Sequence, residues 1–334
     1  MKSYLFGGIL LIVMLVSCNK NDESELEQEQ EQELEQEQEA TSSAYITKVI
    51  DFMPAVGQYV NKFPLYEDGD NQDSMNNKVL ASIGNNNGGL ISLGGFGGYV
   101  VVGFDHTIEN IEGEVDFCIT SNAYYSVVDD EYGSNVGGSC EPGVIMVAYD
   151  ANNNGLPDDD EWYEIAGSEL TESWIEKARD NGNDVALIYN YQISYYRPTS
   201  EDETEEYIRW EDSEGDAGYI VKNIYHTQSY YPQWTTQDKL TFTGTRLPQN
   251  GIDESGTGSN YVLYKFDWGY ADNDYDSEIG SSIDIGWAVD QNREKVSLPG
   301  VDFIKIYTAV NQVNGFIGEC STEIKGIEDL HLLD

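Results

Sequence analysis

Asp150, Asn152, Asn154, Asp158 and Glu161 fall at positions 1, 3, 5, 9 and 12 of the stretch Asp150-Ala-Asn-Asn-Asn-Gly-Leu-Pro-Asp-Asp-Asp-Glu161. Each carries a side-chain oxygen, and the spacing is that of a twelve-residue calcium loop. Gly155 at position 6 supplies the sharp turn, Leu156 at position 7 offers its carbonyl, and Glu161 at position 12 offers two oxygens at once. A plain Asn-Asn-Gly turn with a solvated acidic tip needs neither the glycine at position 6 nor the acid at position 12. Six or seven oxygen ligands without His or Cys favour Ca²⁺ over Mg²⁺ and over transition metals. The chemistry expected is structural: the ion holds a loop, and catalysis is not implied.

A second set of candidates is aromatic. Tyr230, Tyr231 and Trp234, and then Trp268 and Tyr270, sit in polar, Gly- and Asp-rich surroundings in a chain with 24 tyrosines. Flat amphipathic rings beside amides and carboxylates suit a sugar or another large polar ligand, with core packing as the competing account. Catalytic motifs are weak. The chain has three histidines and neither an HExxH nor a GxSxG pattern. His106 reads as a polar residue at a strand end, and Glu141 as an exposed loop carboxylate. A carboxylate pair for glycoside hydrolysis must arise by chance somewhere among so many acids, so abundance names no site. The glycine-rich Leu93-Gly-Gly-Phe-Gly-Gly98 lacks the Lys-Ser/Thr of a phosphate loop and leads into a strand, where a phosphate loop opens a helix.

The elements that must position these residues read as strands. β-Branched and aromatic runs recur between turn clusters at 99–104, 115–120, 144–149, 186–196, 240–243, 261–266, 283–289 and 303–309. The calcium loop lies between two of them, Gly143 to Tyr149 and Glu161 to Ile165, so no EF-hand helices flank it. Helices are expected at Ser74 to Ile83 and at Thr171 to Arg179, the latter closed by Asn181-Gly182. The fold class expected is all-β, a sandwich or jelly roll with a few short helices and an inserted calcium loop. Cys118, Cys140 and Cys320 allow at most one bridge; Cys118 with Cys140 is the nearest pair in sequence, and separate buried thiols are the alternative.

The N-terminus reads as an address. Leu5 to Val16 is too short to span a membrane but suits a signal-peptide core, and it ends in Leu15-Val16-Ser17-Cys18, which resembles a lipobox with Cys18 as the lipidated residue. Residues 1–17 are therefore expected to be a lipoprotein signal peptide. Residues 18–40 form an acidic Glu/Gln tether with ten acids against Lys20, and 41–334 a β-rich surface domain. The whole chain has 61 acidic and 17 basic residues; without the tether acids, Lys20 and Lys2, the domain keeps 51 and 15, a net charge of −36. Nucleic acid and anionic lipid headgroups are excluded as partners by that balance. Acidic residues directly after Cys18 resemble the signal that exports lipoproteins to the outer face of the outer membrane, with the periplasmic face as the alternative.

Leu93 to His106, Cys140-Glu-Pro-Gly-Val-Ile-Met-Val147, Asp150 to Glu169, Trp268-Gly-Tyr-Ala-Asp272, Ile283 to Asp290, Val301 to Tyr307 and Gly318 to His331 together resemble the Bacteroidota lipoproteins known as "cell surface protein". These segments span most of the domain in order. The resemblance implies a surface lipoprotein of vitamin B12 uptake loci, similar to cobalamin-binding lipoproteins encoded near outer-membrane transporters. It carries over no ligand-binding residues. Cys140 stands where a small residue such as Ser is expected, and the segment from Trp174 to Asn183 looks like an insertion. The function expected is non-enzymatic capture of a large polar nutrient, cobalamin first, for an outer-membrane transporter. A surface glycan-binding protein or a polysaccharide hydrolase is the alternative.

Overall fold

Eleven consecutive residues from Tyr99 to Glu109 form the longest strand, and its apolar residues are buried on both sides. A computed structural model of the protein describes residues 42–128, 135–168, 173–276 and 279–333, and residues 43–334 form one compact unit. The strand β3 (Tyr99–Glu109) lies in a six-stranded antiparallel sheet with β1 (Lys48–Met53), β7 (Gly143–Ala148), β8 (Trp162–Ile165), β16 (Ala288–Val289) and β17 (Gly300–Thr308), in the order β1-β3-β17-β7-β8-β16. Because side chains alternate along a strand, this sheet has two different faces. Val100, Val102, Ile145, Val147, Ile304 and Ile306 point to one of them. There they meet helix α1 (Gln72–Ile83) through Met75, Val79 and Ile83, and a second sheet, β15 (Ser282–Ile283), β4 (Phe117–Ser121), β18 (Glu323–Asp329) and β2 (Ile91–Ser92). Asn71 caps α1 by accepting the N–H of Ser74 at 3.0 Å.

The other face presents Tyr99, Val144, Met146 and Tyr307. It is covered by a sheet of β13 (Gly251–Asp253), β14 (Tyr261–Tyr264), β6 (Asn135–Ser139) and β5 (Tyr124–Val128), together with helix α2 (Ile175–Asp180). Beside it lies a sheet of β11 (Ala217–Ile220), β10 (Ile208–Asp212), β9 (Ile188–Tyr196) and β12 (Lys239–Arg246). Tyr99 meets Phe242 of β12 edge-on at 6.4 Å, and Tyr307 meets Phe96 at the same distance.

The β-rich class expected from the sequence is what the structure has, but the sandwich or jelly roll is not. Its strands divide into four sheets, and the central one is covered on both faces. That arrangement explains why β17 is buried along nearly its whole length, with only Asp302 and Lys305 partly exposed, since a sheet covered on both faces loses the in-and-out alternation of a half-exposed one. The 283–289 run is also not one strand: a 3₁₀ turn at Ile285–Trp287 interrupts it, with Asp284 accepting the N–H of Gly286. The expected Cys118–Cys140 bridge is absent, and Cys118, Cys140 and Cys320 are all buried free thiols.

Candidate functional site

The stretch predicted to bind calcium is the connection of a hairpin. Ala148 of β7 pairs with Trp162 of β8, and residues 149–161 make the turn between them. Asp150 Oδ1 accepts the N–H of Asn154 at 3.0 Å, and its Oδ2 accepts that of Gly155 at 2.7 Å. Gly155 sits at φ +77°, a conformation that disfavours any side chain. The amides of Asn152 and Asn154 both reach Asp158 Oδ2, at 2.6 and 2.9 Å. Glu161 folds back to accept N–H groups from Ala151 at 3.0 Å and Asp158 at 3.1 Å. Leu156 projects its side chain to solvent, leaving only its backbone for the loop. A brace comes from β17: Asp302 accepts the Asp150 N–H at 2.7 Å and the Thr107 hydroxyl at 2.5 Å.

The oxygen set therefore fits a hard cation. Positions 3, 5 and 9 already converge, and amide oxygens can replace amide nitrogens toward an ion by a side-chain flip. Among the described residues, however, no three His, Cys, Asp or Glu side chains form a metal-ligating group by themselves. The shell of this loop would thus rest on asparagine and backbone oxygens as much as on carboxylates.

The aromatic candidates need correction. Tyr230, Tyr231, Trp234 and Tyr270 are buried, so these four rings cannot serve as a stacking platform. Trp234 lies parallel to Phe52 with centroids 5.8 Å apart, and its indole N–H reaches Gln72 at 3.2 Å. The Tyr230 and Tyr231 hydroxyls donate to the carbonyls of His226 and Gln237, both at 2.9 Å. Tyr270 packs edge-on against Phe266 at 5.1 Å. Only Trp268 is open, at 39% exposure, with Trp287 beside it at 4.9 Å. The predicted lipidation site, Cys18, and the tether lie outside the described residues.

A different surface carries exposed apolar side chains. Ile224 and Tyr225 are 77% and 79% exposed, and Phe316 is 58% exposed. Asn223 ties their two loops together by donating to the Phe316 carbonyl at 2.9 Å. Tyr59 adds to this face, with its ring 5.1 Å from His226 and 5.5 Å from the partly exposed Phe63. No periodicity marks these residues, because they come from connections far apart in the chain.

Behind that face lies a group of carboxylates that the sequence reading missed or placed on the surface. Glu319 accepts the Gln58 N–H at 2.5 Å, and Gln58 in turn donates to the Ile317 carbonyl at 2.8 Å. Gly318, at φ +102°, permits this approach: a Cβ there would stand 1.5 Å from Gln58 Nε2. Glu323 accepts from Asn122, and its backbone N–H donates to Asp272 Oδ2 at 2.8 Å. Glu141 is not the exposed loop acid expected: it is a partly buried residue whose carboxylate turns inward to the Ser321 N–H at 2.9 Å. Burial pushes Glu319 and Glu323 up to about 7. It raises Glu141 and Asp272 well above the usual carboxylate range, with the neighbouring carboxylates adding to the effect. His106 is likewise no strand-end bystander. It lies within β3, bonded to Asp105 at 2.9 Å and Asp329 at 2.7 Å, and the Asp329 carboxylate raises its pKa. Comparison with protein-family models and with curated proteins finds no match.

Proposed function

We propose that this protein is a non-enzymatic capture lipoprotein, anchored through Cys18 on the outer face of the outer membrane. It takes up a large polar nutrient with an apolar face, cobalamin first, and passes it to an outer-membrane transporter. The observation that carries the reading is the exposed face of Ile224, Tyr225 and Phe316 on a chain that is otherwise strongly acidic. Large apolar side chains left exposed on neighbouring loops point to an interaction site, since leaving them in water is unfavourable. Ca²⁺ in the 150–161 loop has a structural part, fixing the β7–β8 hairpin of the central sheet. The pairing of His106 with two aspartates, and of His331 with Asp116 at 3.0 Å, supports a structural use of these histidines over a catalytic one.

Calorimetric titration of the full-length protein with cyanocobalamin tests the reading. Wild type should bind, and Tyr225→Ala with Phe316→Ala should weaken binding at least tenfold while leaving the melting temperature nearly unchanged. Absence of binding, or binding indifferent to both changes, would sink the proposal. The glycan alternative has its own support in a polar cavity of about 300 Å³ lined by Gln192, Ser194, Glu211, Asp212 and Lys239. Saturable binding of an oligosaccharide, abolished by Asp212→Ala, would favour it.

A further inference from the structure

Two of the three histidines are each committed to acids. His106 lies between the carboxylates of Asp105 and Asp329, at 2.9 and 2.7 Å, and His331 faces Asp116 at 3.0 Å. Among the described residues His226 has no carboxylate partner. Its backbone is fixed, since its N–H donates to the Asn223 carbonyl at 3.1 Å and its carbonyl accepts the Tyr230 hydroxyl at 2.9 Å. The half-buried ring makes one polar contact, from Nε2 to the Tyr59 hydroxyl at 3.5 Å. With the proton on Nε2 and directed at Tyr59, the lone pair stays on Nδ1. Histidine ligates metals in this way, with one nitrogen on the metal and the N–H of the other held by a neighbouring group. Partial burial and the nearby Lys62 hold its pKa below the usual imidazole value, so the ring is neutral at neutral pH.

The place of His226 matters as much as its freedom. It follows Ile224 and Tyr225 directly, and three loops meet around it. Asn223 donates to the Phe316 carbonyl at 2.9 Å, Gln58 to the Ile317 carbonyl at 2.8 Å, and Gln228 to the Gln58 carbonyl. The exposed Ile224, Tyr225 and Phe316 and the half-buried Tyr59 thus belong to loops bonded to one another, with a neutral imidazole among them. Apolar side chains suit the flat face of a large ring. A sugar gains little from a nitrogen lone pair, whereas a metal at the centre of such a ring accepts it. We infer that His226 is an axial ligand to the metal of a planar macrocycle seated on this face, which rests on the capture reading proposed above. The step is a ligand exchange: the imidazole nitrogen gives its electron pair to the metal, and the water bound at that position leaves, with no change of oxidation state. Cobalt in a corrin and iron in a porphyrin share this chemistry.

Absorbance titration of the full-length protein in detergent, with aquocobalamin in one arm and haemin in the other, reads this bond directly, because replacing water by imidazole shifts the visible bands of the macrocycle. Wild type should shift the aquocobalamin spectrum. His226→Ala should lose the shift and bind more weakly by about tenfold or more, while melting close to wild type. A shift retained in His226→Ala overturns the inference. So does wild-type binding, seen by calorimetry, that brings no shift in either arm; that result leaves the capture reading standing. A His226-dependent shift with haemin and none with aquocobalamin upholds the axial ligand and sinks cobalamin as the cargo. Binding of neither compound overturns the inference and the cobalamin reading together. If His226→Ala does not fold, His226→Gln takes its place: a lost shift supports the ligand, and a retained one overturns it.

Discussion

Trp234 shows how a residue in a polar stretch comes to be core. Its ring stacks on Phe52 and its N–H is taken by Gln72, two partners more than 160 residues away in sequence. No local window carries that information, which is why the Tyr230 to Trp234 cluster reads as a loop platform until the fold is known. Glu141 follows the same logic, since its partner Ser321 lies 180 positions off. The hairpin turn at 150–161 was legible for the opposite reason: the residues that shape it lie within twelve positions. At the residue scale the expected outcome is a contrast. Trp234→Ala should cost about 3 to 5 kcal/mol by emptying a buried site, whereas Tyr225→Ala, on the exposed face, should cost little. Denaturant unfolding of the two variants measures it, and near-wild-type stability of Trp234→Ala would return that ring to the list of surface candidates.

At the scale of elements, the 150–161 loop is more than a turn. It closes the β7–β8 hairpin and is braced from β17 through Asp302, so its order is tied to three neighbouring strands of the central sheet. A ligand bound only to the folded state stabilises it by mass action. Chelation should therefore lower the melting temperature, and Glu161→Gln should remove most of the sensitivity that belongs to this loop. A melting curve indifferent to chelator and to added Ca²⁺ would count heavily against the metal. The elements themselves were largely readable: β3 begins at Tyr99 as expected, α1 ends at Ile83, and α2 stops just before Asn181-Gly182, where Gly182 takes φ +90°. The strands that escaped notice, β10, β11 and β18 among them, are short or interrupted by charges. What marks them as strands is pairing, with each other for β10 and β11 and with a distant partner for β18, as in the register of Glu328 with Cys118.

At the scale of the whole molecule, the number of sheets was not legible. Alternation along a strand reports which face is buried, but it does not tell how many layers cover a sheet, and β17 and β3 are covered on both sides. The convergence of the Cys140-Glu-Pro-Gly, Ala271-Asp272 and Gly318-Glu-Cys-Ser-Thr-Glu323 segments on one buried group of carboxylates is likewise a product of the assembled fold. Anchoring is tested at this scale too. Cys18→Ala should move the protein out of the membrane fraction or leave its signal uncleaved, as fractionation and immunoblotting would show; undiminished membrane association of a processed Cys18→Ala protein would refute a lipid anchor at that residue.

The position of β17 sets an order in time. Residues 300–308 lie between β3 and β7, so the two strands synthesised far earlier have no hydrogen-bonded neighbour on that side until β17 arrives. A chain emerging from its N-terminus can form α1, the β7–β8 hairpin and local turns, but its central sheet must wait for about 300 residues to be in hand. Such non-local closure makes folding slow. A chain cut short before residue 300 therefore lacks the strand that joins the two halves of its central sheet, however complete its earlier elements.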